Sequence, residues 1–303
     1  ERVRGQGVSD MKGGDVVVLE ALRALQRVGA LDNTSIAVMF TGDEESAGNP
    51  KAVSRGPMVE LAKRSDIALA FEGTVLDAAG QATATIGRRA SSFFELDVKA
   101  RQGHSSGIFN SSAGYGAVFE AARILDGFRQ QVIEPDLTFN PGVILGGTEV
   151  SYDASASRGS AFGKTNVIAN GVTIKGDLRY LTIGQRDRAH EKMRAIVAQN
   201  LPGTSASISF GESYPPMSPT PGNLRVLEIY SQASSDAGLG PIAAFPPGQR
   251  GAGDVQFVAP FVDSLDGLGV SGRGAHSPNE ELDLASLERA TIRTAILIYR
   301  LTR

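Results

Sequence analysis

The sequence of 303 residues contains no cysteine. Disulfides, thiolate metal sites and a cysteine nucleophile are therefore excluded. Histidine is scarce, at three residues, so any metal ion has to bind through His, Asp and Glu. No apolar run approaches the roughly 18–20 residues of a membrane span. A strong charge of one sign is absent too. The net charge of -3 and pI near 5.7 argue against nucleic acid or an anionic membrane as the main partner. The opening Glu1–Gly7 has neither a Met start nor an apolar leader core. It reads like the interior of a domain, and the expectation is that an N-terminal segment is missing. A cysteine-free chain fits the cytosol or the periplasm and leaves localisation open.

What is present is an ordinary globular composition, with 41% hydrophobic and 21% charged residues. The 36 glycines suggest many tight turns. In Asp15–Val28, apolar residues recur at helical spacing, and Gly29 is a stop. Ser35–Phe40 (SIAVMF) reads as a short buried strand, a helix lies around Pro57–Lys63, and Ile67–Phe71 is a second apolar strand. This alternation predicts an α/β fold with a mostly parallel sheet and flanking helices. Near Gly87 the character changes. Ser91–Ala100 and Val172–Leu181 alternate like half-solvated strands, as does Ser205–Phe210, and helices are predicted over Ala113–Phe128 and Gln185–Gln199. That places an α+β insertion at 88–213, with 1–87 and 214–303 forming the surrounding domain. Strand Ser264–Val270 and helices over 222–237 and 284–301 complete the chain.

The chemistry gathers after the apolar strands. Thr41-Gly42-Asp43-Glu44-Glu45-Ser46 puts three carboxylates in a row, where like charges raise one another's pKa unless a cation or water relieves them. Glu72 follows the strand ending at Phe71, His276 follows the one ending near Val270, and Asp10 precedes a helix. In an open parallel sheet, ligands bind beyond the carboxyl ends of the strands. These groups would therefore converge, and such a set suits a dication such as zinc or manganese. Read locally, Asp43 is a structural loop residue, His104 and His190 are surface histidines, Arg179 points to solvent and Arg88-Arg89 is a solvated hinge.

The sequence resembles the co-catalytic zinc aminopeptidase-fold hydrolases that include carboxypeptidase G, aminoacylase and succinyl-diaminopimelate desuccinylase. The resemblance rests on Gly7–Gly14 (GVSDMKGG), Thr41–Ser46, Phe71–Thr74, Gly103–Ser106, Asn166 with Arg179, and Ala275-His276-Ser277, in the family's order. It implies two zinc ions, with cobalt or manganese as alternatives. Asp10 would bridge them, Glu45 and His276 would complete one, and Glu72 would bind the other. Glu44 would be the general base for the water between them. His104 would help stabilise the oxyanion of a partner subunit, while Asn166 and Arg179 would hold a substrate carboxylate. The insertion would be a lid and dimerisation domain.

The resemblance thus implies hydrolysis of a peptide or N-acyl amide bond beside a free carboxylate, by a homodimer acting on small peptides or N-acyl amino acids. The family's His-x-Asp motif, some tens of residues before the Asp10 region, is not in this sequence. It would supply the second metal's His and an orienting Asp. The expectation is that this chain alone holds at most one tight metal and is inactive or nearly so. The alternative is a non-catalytic homologue that binds peptides or amino acids in the same cleft.

Overall fold

The computed structural model describes all residues, 1–303. The chain divides into two compact units, one made of Glu1–Arg89 with Pro216–Arg303, the other of Ala90–Pro215. In the first, helix Gly13–Arg27 buries Val17, Val18, Ala21 and Leu25, one stripe of an amphipathic pattern. It packs on the last helix, Leu284–Leu301, and on a core containing Phe71, Leu265, Leu268 and Val270. Full burial of each such side chain contributes about 1.5–3 kcal/mol. Strands Ile67–Leu69 and Asp263–Leu265 pair in parallel. Gly14 permits a close approach here, because a Cβ at that position would lie 2.1 Å from the Phe71 carbonyl oxygen. The start of the first helix is thereby held against the loop that carries Glu72.

The second unit is an antiparallel sheet of Thr138–Gly147, Gly171–Arg179, Ser91–Ala100 and Thr204–Tyr214, in that order. Helices Gly116–Gln131 and Ile183–Val197 contribute to its core. Residues alternate in burial along Ser91–Ala100, and Phe94 meets Phe128 edge to face at 6.1 Å. Thr182 and Gln185 form a capping box at the start of the second helix. A hairpin of Glu149–Asp153 and Arg158–Phe162 lies between two of the strands in sequence.

Two expectations are corrected. The sheets are mostly antiparallel, with parallel pairing confined to two two-stranded pieces. And Ser35–Phe40 is not a buried strand. It pairs with no other strand, and Phe40 is 55% exposed. An apolar β-branched run becomes a strand only where a neighbouring backbone accepts its hydrogen bonds, and none lies beside it.

Candidate metal and active site

Asp10, Glu45 and His276 come together although they are distant in sequence. One donor atom from each lies within 4.8 Å of the others. His276 Nε2 is 3.0 Å from Asp10 Oδ2 and 3.3 Å from Glu45 Oε2. His276 holds a left-handed backbone (φ 61°) in the turn after Gly274, a conformation that costs a non-glycine residue on the order of 1–3 kcal/mol and clusters at functional sites. One imidazole and two carboxylates are a donor set that fits a divalent cation.

The Asp10 loop is positioned by a residue outside the expected set. The carboxylate of Glu280, buried, accepts from the backbone N–H groups of Gly7 (2.6 Å), Ser9 (2.8 Å) and Asp10 (3.0 Å), and from Ser9 Oγ (2.9 Å). Burial raises its pKa, but these four bonds outweigh that and hold it below the usual carboxylate range. Gly272 lets Ser9 approach, since a Cβ there would sit 2.3 Å from the Ser9 Cβ. Glu280→Gln turns a donor toward these N–H groups. The expected result is zinc affinity lower by about 10–100-fold, read by calorimetric titration, as for other groups that orient metal ligands.

The acidic triplet divides its labour. Asp43 faces away from the donor group. Its carboxylate receives Ser54 Oγ (2.6 Å), the Gly48 N–H (2.9 Å) and the buried Arg55 (2.5 Å), and these bonds lower its pKa to about 2. Arg55 also binds Asp254 at 2.7 Å. Glu45 joins Asp10 and His276. Glu44 is half-buried, and burial, followed by Asp254, Glu45 and Asp10, raises its pKa against the pull of Arg88.

Glu72 stands outside the three-donor group. Burial and then Asp266 push its carboxyl up to about 8, again opposed by Arg88. Arg88 is not a solvated hinge. It is 2% exposed, binds the fully buried Asp266 through Nε (2.6 Å) and Nη2 (2.5 Å), and donates from Nη1 to the carbonyls of Gly251 and Ala252. A folded-state pKa raised above the unfolded value means that stability is present at low pH and lost as pH climbs through about 8. Metal-free protein is therefore expected to lose thermal stability between about pH 5 and 8. A Glu72→Gln variant melted across the same range should show a flatter profile. Arg250, on the loop Gly248–Asp254, has a buried Nε without an acceptor. Burial and then Arg88 lower its pKa, while Asp266, Glu72 and Asp10 raise it.

In the second unit, His104 and Asn166 lie on adjacent loops. The His104 backbone bridges to Val167, and Ser105 N–H donates to the Asn166 carbonyl at 3.0 Å. Both residues are exposed, and His104 Nδ1 contacts Ser106 Oγ at 2.8 Å. Arg179 is not with them. It ends the strand Gly171–Arg179, about 26 Å from its start at ~3.3 Å per residue, and pairs with Asp177 at 2.9 Å rather than pointing freely to solvent. His190 is not simply solvated either. It stacks on Phe210 with ring centroids 3.7 Å apart, and burial lowers its pKa.

One imidazole and two carboxylates, gathered on a mixed helix and strand scaffold, form a group that could hold a divalent cation. The chain belongs to peptidase family M20/M25/M40, whose model matches residues 1–299. It is 24% identical to carboxypeptidase G2 of Pseudomonas sp. (strain RS-16), over 99% of this chain and 68% of that protein. It is also 24% identical to succinyl-diaminopimelate desuccinylase of Delftia acidovorans, over 95% of this chain and 70% of that one. Its fold is similar to aminopeptidase PepT from Bacillus cereus, with TM-score 0.76 and 18% identity, covering 100% of this chain and 74% of that chain. A further likeness is to YXEP of Bacillus subtilis, described as a dinuclear metal-binding M20 peptidase, with TM-score 0.64, 17% identity, and 94% and 70% of the two chains covered. The expected family is thus the observed one.

Proposed function

We propose that this protein hydrolyses a peptide or N-acyl amide bond next to a free carboxylate, with Glu44 as general base. The observation that carries this reading is the placement of Glu44, half-buried and of raised pKa, against the group formed by Asp10, Glu45 and His276. Those three residues would hold a zinc, cobalt or manganese ion, and Asp10 with Glu72 would contribute to a second. Such ions would supply polarisation of the scissile carbonyl and acidification of the attacking water. Glu44 would take the proton from the attacking water and deliver it to the leaving amine, and its partial burial favours the protonated form needed for the second transfer. Glu280 keeps the Asp10 loop in place throughout.

The second unit would serve as lid and dimerisation surface, a role supported by the exposed Phe109, Val118 and Phe119. His104 would reach a partner's site, and Arg179 would bind substrate carboxylate, for which the planar guanidinium is suited, while Asn166, beyond the other end of that strand, is not placed to share it. The competing reading is a non-catalytic member that binds peptides or amino acids. It draws support from the single three-donor group, since Glu72 lies outside it. Zinc-loaded protein assayed on N-acyl amino acids and dipeptides, beside their carboxyl-amidated forms, decides between them. Turnover restricted to the free carboxylates supports hydrolysis at this site. Saturable binding with no turnover on the whole panel, in protein that elemental analysis shows to hold two zinc ions, sinks it.

A further inference from the structure

Away from the metal centre, the last helix turns Ser286, Arg289 and Arg293 toward a cavity of about 270 Å³, also lined by Thr74, Gln81 and Ser271. Arg293 is 7% exposed. Its Nε donates to Ser234 Oγ at 2.8 Å and its Nη2 to the Leu239 carbonyl at 3.4 Å, and neither acceptor carries charge. The nearby Tyr230 offers no counter-charge, because burial pushes its hydroxyl up to about 12. Burial depresses the pKa of Arg293, Tyr230 opposes that shift and Arg289 adds to it. Arg289 reaches Asp283 Oδ2 at 3.1 Å, so one of the two cations has a carboxylate and the other has none.

A buried guanidinium without a counter-charge is costly, and a fold tolerates it where an anion can neutralise it. The cavity meets that guanidinium with a second one, the Ser271 hydroxyl and the Gln81 amide, donors that suit oxygen acceptors, while the Thr74 and Ser286 hydroxyls donate to backbone carbonyls. Its volume lies below the range of drug-sized pockets, which begins at about 300 Å³. We propose that this cavity binds a small oxyanion, either phosphate or a short-chain carboxylate, through Arg293 and Arg289. None of Asp10, Glu44, Glu45, Glu72 or His276 lines it. Thr74 and Ser271 belong to the segments that lead to or from Glu72 and His276, so an occupant braces the backbone beside the metal centre.

The test titrates zinc-loaded protein with inorganic phosphate, and separately with acetate and succinate, at constant ionic strength set by sodium chloride. Calorimetry and thermal melting are the readouts. Saturable binding that raises the melting temperature is expected, weakened at least tenfold in Arg293→Gln and in Arg289→Gln and retained in His276→Ala. Tighter binding in the phosphate arm or in the carboxylate arm identifies the source of the anion. Should Arg293→Gln fail to fold, the half-exposed Arg289 carries the comparison. No saturable response to any of the three anions overturns the proposal. So does binding that survives Arg289→Gln, or that disappears in His276→Ala and so belongs to the metal centre.

Discussion

Glu44→Gln is expected to lower kcat by about 10²–10⁴, the range over which a positioned general base contributes, while zinc content stays unchanged. The amide keeps the shape of the side chain but cannot take a proton. Metal content should hold because the three-donor group is Asp10, Glu45 and His276, without Glu44. Removing Glu44 also relieves repulsion, since burial, Asp254, Glu45 and Asp10 all disfavour its ionised form. The variant should therefore melt at or above the parent's temperature while its turnover collapses. Steady-state kinetics paired with elemental analysis and a melting curve separates these effects. Unchanged kcat at full metal occupancy would remove Glu44 from the chemistry.

The largest stability effect is expected at Arg88. It neutralises the fully buried Asp266 and, from the same guanidinium, ties down the carbonyls of Gly251 and Ala252. Arg88→Met leaves a buried carboxylate without a partner, and breaking such a pair from one side costs about 3–5 kcal/mol. Replacing both members costs less than replacing one, because no charge is then stranded. Arg88→Met with Asp266→Asn should accordingly recover a large part of the loss. Urea unfolding midpoints of the two single variants and the double variant test this coupling. Additive losses would mean that the ion pair contributes nothing and that the loop contacts carry the effect. Glu72 adds a spectator signal, since Arg88 is the group that opposes its rise in pKa.

Much of the secondary structure was legible wherever one face of an element is buried. Ser91–Ala100 was expected as an alternating strand and is one over those residues. The last helix runs over Leu284–Leu301 as its spacing predicts. The strand Thr138–Gly147 and the following hairpin were not expected. Their burial runs from exposed to intermediate with little buried surface, so no hydrophobic period marks them. Ser35–Phe40 failed in the opposite direction, because it has the composition of a buried strand and no neighbour to pair with.

At the site, the residues alone suggested that Asp10, Glu44, Glu45, Glu72 and His276 converge, the family resemblance singled out Asp10, Glu45 and His276 as ligands of one ion, and the structure does bring those three together. The residues that hold that group were not visible. Glu280 is a clear instance. It sits four residues after His276, in Ser277-Pro278-Asn279-Glu280, where nothing local distinguishes it from the exposed acids around it. Arg55, Arg88 and Asp266 were equally silent, since each is defined by a charged partner at least twelve residues away.

The sequence by itself determined the family, the donor types and the exclusion of thiol chemistry, because those depend on which side chains exist and in what order. Tertiary structure alone decided which member of the acidic triplet binds Arg55, which joins the donor group and which stays half-buried. It also decided that Arg88 is a buried counter-charge and Arg293 a buried charge without one. The physical reason is common to all of these. Burial and counter-charge are properties of what surrounds a group, and in this protein the surroundings of each of these groups come from distant parts of the chain.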